Sequence, residues 1–168
     1  LEKGDKTMTK KIPTMPPQLG CKPDPIDRRD FRYEDFIAGT SKPADMPSFE
    51  KGYDVEETIG KLKDDHQDSS KRCVAQGGTN DLEMTILAET KKYISLSIRD
   101  AYSQIYLPGG GAYVRSFYKL AHSKGICEEK YCPSYPEDGS RVSEAFSRKR
   151  GVITPEREQN ALEWRIGA

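Results

Sequence analysis

A glutamine six residues ahead of a cysteine, Gln67 and Cys73, is the pair whose types and spacing could carry chemistry in this chain. Residues 67–83 read QDSSKRCVAQGGTNDLE. After Cys73 the apolar positions Ala75, Thr79 (through its methyl), Leu82 and Ile86 fall four, three and four apart, which predicts a helix starting at the cysteine. A thiol in the first turn of a helix meets unpaired backbone N–H groups and the positive end of the helix dipole, and both favour the thiolate. Lys71 and Arg72, directly upstream, are expected to push the same way. The chemistry implied is that of a thiolate nucleophile.

Several elements must position such a thiol. The first helix is expected over residues 73–92, and Gly77 and Gly78 within it each cost about 1 kcal/mol relative to alanine, which makes sense if another backbone packs closely there. A second helix is expected from Ser97, with Ser97 and Asp100 as N-cap and N3 and with Ile98, Ala101, Tyr102 and Ile105 on its buried face. The glycine-rich turn LPGGGAY follows at residues 107–113. A third helix is expected over residues 112–123, with Val114, Phe117, Leu120 and Ala121 inward and Gly125 as its C′ residue. Residues 126–139 are turn-rich, and Val142, Ala145 and Phe146 suggest a helix around residues 141–150. The last segment reads two ways: Thr154-Pro155-Glu156 is a helix start, whereas Leu162, Trp164 and Ile166 alternate as in a strand.

Upstream, residues 1–45 read as an extended arm. Pro13, Pro16, Pro17, Pro23, Pro25 and Pro43 remove backbone donors and restrict the residues before them. Phe31, Tyr33 and Phe36 form an aromatic group suited to pinning this arm on a globular body, either across a cleft, where it would regulate access, or as passive packing. Residues 46–66 form an extended lead-in. Basic and acidic residues balance at 27 each, so no nucleic-acid partner is implied. The apolar runs are too short for a membrane span, and the charged N-terminus has no secretory signal, which leaves the compartment unassigned. Cys21, Cys73, Cys127 and Cys132 include no CxxC and no zinc-spaced histidines, so no metal or cofactor is expected. Cys127 and Cys132 are either two reduced thiols or a small disulfide loop.

The order of these landmarks resembles the N-terminal half of the papain-like cysteine proteases (peptidase family C1). Carrying the resemblance are Gln67, Cys73, Glu83, Leu96-Ser97, Gly110-Gly111, Lys124-Gly125-Ile126 and Tyr135-Pro136, spanning about residues 60–136. The resemblance implies a mainly α fold within an α+β family: the helical half around a central active-site helix, with the β-barrel half missing or only begun. It divides the chain into an arm (1–45), a helical subdomain (46–152) and a crossover segment (153–168). Cys73 would be the nucleophile and Gln67 an oxyanion donor beside the Cys73 N–H. Gly110 and Gly111 would present backbone to an extended peptide, with Ala112 and Tyr113 near the substrate pocket. Glu83 would be a buried carboxylate linking helix to loop.

The departures are equally specific. Ser70-Lys71-Arg72 stands where the family has Cys-Gly-Ser, placing large residues beside the cleft, and Val74 replaces an aromatic. The family disulfide has Ser70 and Pro108 at its two positions. The family draws its histidine and asparagine from the second half; the two histidines here, His66 and His122, match neither position. The chain alone is therefore expected to hydrolyse peptides slowly or not at all. Its expected partners are a peptide or protein substrate and a complementary C-terminal chain carrying His and Asn. Two alternatives stand beside this reading. One is a non-catalytic peptide-binding or structural module of the same fold; the other is an unrelated helical domain with Cys73 in its core.

Overall fold

The computed structural model describes residues 20–30, 60 and 65–167; Phe31, Tyr33, Phe36 and the lead-in through residue 59 lie outside them. The elements in order are β1 (Cys21–Lys22), α1 (Cys73–Thr90), α2 (Ile98–Ile105), β2 (Ala112–Tyr113), α3 (Val114–Ser123), α4 (Glu144–Arg148) and α5 (Pro155–Glu163). A 3-10 turn at Glu129–Tyr131 lies between α3 and α4. The architecture is mainly helical, with a two-stranded sheet in which β1 runs parallel to β2, Cys21 opposite Ala112 and Lys22 opposite Tyr113. None of the described helices is long and apolar enough to cross a membrane.

Local chemistry sets the helix starts. The Ser97 hydroxyl accepts the Asp100 N–H at 2.9 Å, Ser143 that of Phe146 at 3.1 Å, and Thr154 that of Arg157 at 3.2 Å. Each cap satisfies a backbone donor that the first turn leaves unpaired. α1 stops two residues short of the expected end, at Lys91 in the left-handed conformation. α3 ends as expected: the Gly125 N–H returns to the Leu120 carbonyl, and Gly125 holds a φ of +74°. α4 is shorter than the pattern suggested, and Ala145 on it is exposed.

The core lies between α1, α2 and α3. Ala75, Ile98, Ala101, Tyr102, Phe117, Ala121 and Ile126 are fully shielded, with Leu82 and Ile94 beside them. The paired glycines of α1 divide their roles. A side chain on Gly78 would meet the Phe117 ring at 2.4 Å, whereas Gly77 faces open space. An aromatic ring, not a backbone, is what presses on α1. Val114, expected inward, is exposed because the chain is still extended at β2 one residue earlier.

The ambiguous last segment is helical. Leu162, Trp164 and Ile166 form no strand; α5 runs to Glu163, Leu162 and Ile166 stay exposed, and Trp164 packs against the core with its indole N–H on Glu128 at 3.3 Å. What seats α5 is Arg157. Its guanidinium bonds Asp100 of α2 at 2.5 Å and the Arg150 and Val152 carbonyls at 2.6 and 2.8 Å, and both charged side chains are only 4% exposed.

Candidate active site

Cys73 is the first residue of α1, as its sequence context predicts. The N–H groups of Gly20, of Val74 and of Cys73 itself reach the thiol and favour the thiolate. Burial outweighs them, and together with the nearby Cys21 it pushes the Cys73 thiol above its ordinary value. The two basic neighbours do not reverse this. Arg72 is wholly buried and faces inward: its guanidinium donates to the Ser134 carbonyl at 2.6 Å and the His66 carbonyl at 2.8 Å, with the Tyr135 ring 4.8 Å away. The Lys71 ammonium sits on the Gly109 carbonyl at 2.7 Å. Arg72 therefore neither crowds the cleft nor activates the thiol, because a buried guanidinium must spend its donors on carbonyls within reach.

The groove beside Cys73 holds chain already. Gly20–Lys22 lies along Ala112–Tyr113, and the Gly20 carbonyl accepts the Ala112 N–H at 2.8 Å. Gly111 has a φ of +81°, and a side chain there would stand 2.3 Å from the Gly20 oxygen, so only glycine admits this approach. A side chain on Gly20 would meet the Lys71 carbonyl oxygen at 2.1 Å and the Cys73 Sγ at 3.0 Å. Gly110 is walled in by Lys71, Glu144 and Arg148, and Tyr113 is the N-cap of α3. Cys73, Gly111 and Ala112 thus converge on one backbone segment. Gln67 lies in the turn before them, its carbonyl accepting the Ser70 N–H at 3.1 Å, and its partly exposed carboxamide has no hydrogen-bond partner among the described residues. His66 and His122 are exposed, and neither bonds Cys73. Glu83 is buried and accepts the Leu96 N–H at 2.7 Å, joining α1 to the loop before α2.

Two groups of residues at the site were not singled out from sequence. Glu144 accepts the Lys71 N–H at 2.7 Å with one oxygen; with the other it accepts the Tyr102 hydroxyl at 2.6 Å and Arg148 Nε at 2.9 Å. The Tyr102 oxygen in turn accepts the Gly111 N–H at 2.8 Å. This chain of bonds ties the loop before Cys73 to the glycine turn. Burial alone would raise the Glu144 carboxyl, but Tyr102, the Lys71 N–H and Arg148 outweigh it and hold it below the ordinary carboxylate range. A depressed carboxylate stabilises above its unfolded value, so the clamp is fully made at neutral pH and weakens as pH falls through the folded value. Tyr102→Phe strands the Gly111 N–H and removes one donor from Glu144. Denaturant unfolding should show a loss of about 1–3 kcal/mol; an unchanged midpoint would mean the hydroxyl holds nothing.

The second missed group fastens the arm. The Arg115 N–H lies 3.3 Å from Asp24, and its guanidinium bonds Asp27 at 3.2 Å and Asp30 at 2.7 Å. Arg29 foremost, with Arg115 adding to it, holds the Asp27 carboxyl far below the usual range. Nothing in a scattered Asp-x-x-Asp-x-x-Asp run names its arginine partner on α3. A cavity of about 320 Å³ opens beside the site, lined by Cys21, Cys73, Val74, Gly77, Gly78, Val114, Phe117 and Tyr118. All four cysteines are free of disulfides; Cys127 and Cys132 are buried, and the Cys132 thiol donates to the Arg150 carbonyl at 3.5 Å.

No protein-family model and no curated protein matches the chain. Solved structures do. Xylellain, a cysteine protease from Xylella fastidiosa, superposes with a TM-score of 0.53 over 89% of this chain and 56% of its own length, at 18% identity. A structure concerning the mite allergens Blo t 1 and Der p 1 matches at 20% identity and a TM-score of 0.43, covering 54% of this chain and 31% of that one. The likeness to xylellain shows a papain-like fold, and the mainly helical architecture is consistent with that fold's helical half. The chain spans about half the length of the xylellain structure.

Proposed function

We propose that this chain is the nucleophile-bearing helical half of a papain-like cysteine peptidase, held latent by its own arm. The observation that carries this is the extended backbone Gly20–Lys22, paired along Ala112–Tyr113 and touching Cys73. It occupies the groove as an extended peptide would, with backbone bonds to a glycine-opened wall. In this reading the Cys73 thiolate attacks a peptide carbonyl, the amine leaves, and water releases the thioester. The Cys73 N–H and the unpartnered Gln67 carboxamide would hold the oxyanion, and Gly110, Gly111, Ala112 and Tyr113 would line the substrate groove. The general base would come from a complementary polypeptide supplying His and Asn, because neither His66 nor His122 bonds the thiol. Mixing the chain with such a polypeptide should give thiol-dependent hydrolysis of a peptide substrate. If none appears under reducing conditions with the arm displaced, the peptidase reading falls.

A second reading, a non-catalytic peptide-binding module of the same fold, is favoured by one observation: burial pushes the Cys73 thiol upward and no histidine is bonded to it. An epoxysuccinyl peptide separates the two readings. With the arm displaced, as by Gly20→Val, an activated Cys73 is modified ahead of Cys21 near neutral pH, whereas a binding module still reacts at Cys21 first.

A further inference from the structure

We propose that Cys21 and Cys73 form an oxidisable latch, a disulfide site that fastens the arm over the groove. Of the four thiols, Cys127 and Cys132 are 0% and 2% exposed and sit in a separate buried cluster, so oxidants in solution do not meet them in the folded chain. Cys21 is exposed, Cys73 is partly so, and the two line the same cavity of about 320 Å³. The backbone carrying Cys21 touches the nucleophile: a Cβ on Gly20 would lie 3.0 Å from Cys73 Sγ. The Cys21 Cα is only about 3.8 Å further along the chain. A disulfide needs Cα atoms about 4.4–6.8 Å apart. The cavity that both cysteines line is the space in which the two sulfurs would meet, with no change in the pairing of β1 along β2.

The chemistry closes with a low-molecular-weight disulfide as oxidant. The Cys21 thiolate attacks one sulfur of the oxidant, forming a mixed disulfide and expelling one small thiolate. The Cys73 thiolate then attacks the Cys21 sulfur and expels the second. Two protein thiols become one disulfide, the oxidant is reduced to two small thiols, and the two protons released by the cysteines end on them. The regulatory consequence, a nucleophile capped when conditions are oxidising and returned by reduction, rests on the peptidase reading; the bond itself does not.

The test uses the full chain and oxidised glutathione, with acid quenching, alkylation of remaining thiols, digestion and mass spectrometry. The expected result is loss of two of the four free thiols, a peptide joining Cys21 to Cys73, and recovery of both on adding dithiothreitol. Cys21→Ser, an exposed substitution, should instead leave glutathione on Cys73 with no intrachain bond; circular dichroism checks that its helices are intact. Glutathione retained on Cys21 or Cys73 of the unsubstituted chain without a cross-link overturns the latch, as does a bond at Cys127 or Cys132. The two ideas fail separately. A missing cross-link with preferential epoxide labelling of Cys73 removes the latch alone. A cross-link without such labelling or any hydrolysis in the presence of the complementary polypeptide removes the peptidase reading alone.

Discussion

Replacing Arg157 by methionine is expected to lower the unfolding free energy by about 3–5 kcal/mol, the cost of leaving a buried charge without its partner. Asp100 would keep the Cys127 N–H at 3.1 Å and the Gln104 amide at 3.1 Å but lose the guanidinium at 2.5 Å. The Arg150 and Val152 carbonyls would lose their donor as well. The effect should appear as a drop in the midpoint of denaturant unfolding followed by circular dichroism. The decisive comparison is the double variant Asp100→Asn with Arg157→Met, which removes both charges. It should be more stable than Arg157→Met alone, because the stranded carboxylate, not the lost attraction, is the main penalty. Equal stability of the two variants would show that Asp100 finds water or another donor.

The second large effect concerns Gly20. Gly20→Val places branched carbon against the Lys71 carbonyl, where even a Cβ would stand at 2.1 Å. Glu144 holds that backbone through the Lys71 N–H, so it cannot yield, and the arm must leave. With the arm gone, Cys73 loses the share of its burial that the arm supplies, and the neighbouring Cys21, so the thiol should titrate lower than in the unsubstituted chain. Alkylation of Cys73 near neutral pH should rise about 5- to 30-fold, the factor that matches one or two kcal/mol of arm binding. Its pH profile should shift toward acid. Arg115→Ala loosens the same arm through its partly exposed ion pairs, so its effect should be smaller and should shrink at high salt. If Gly20→Val changes neither rate nor profile, the arm does not shield the thiol in solution.

What could be read from the chain beforehand was chemistry closed within a few residues. The Ser97 cap, the left-handed Gly125 and the start of α1 at Cys73 each depend on neighbours three to five positions away, and each stands where expected. Residues whose partners are distant were misread or missed. Arg72 looks like a cleft cation until Ser134, 62 residues on, takes its guanidinium inward. Asp100 is legible as a helix N3 residue, but not as the seat of Arg157, 57 residues away. The pairing of Gly20 with Ala112 has no local signature, since a two-residue strand shows no alternation. At Leu162, Trp164 and Ile166 the period-two pattern competed with a Thr-Pro helix start, and the cap prevailed because it satisfies backbone donors directly. The assignment of Gln67 to the oxyanion comes from resemblance alone; no bond of its carboxamide bears on it.

Trp164 gives the molecule an optical property. It is the chain's single tryptophan, held at the end of α5 with its indole N–H on Glu128 and its ring against the core. All indole emission therefore originates at the joint between α5 and the three-helix body. Loosening of that joint would shift the emission to the red as water reaches the ring. Movement of the arm at the first turn of α1 should leave it unchanged, so a single colour reports the α5 joint and is blind to the groove.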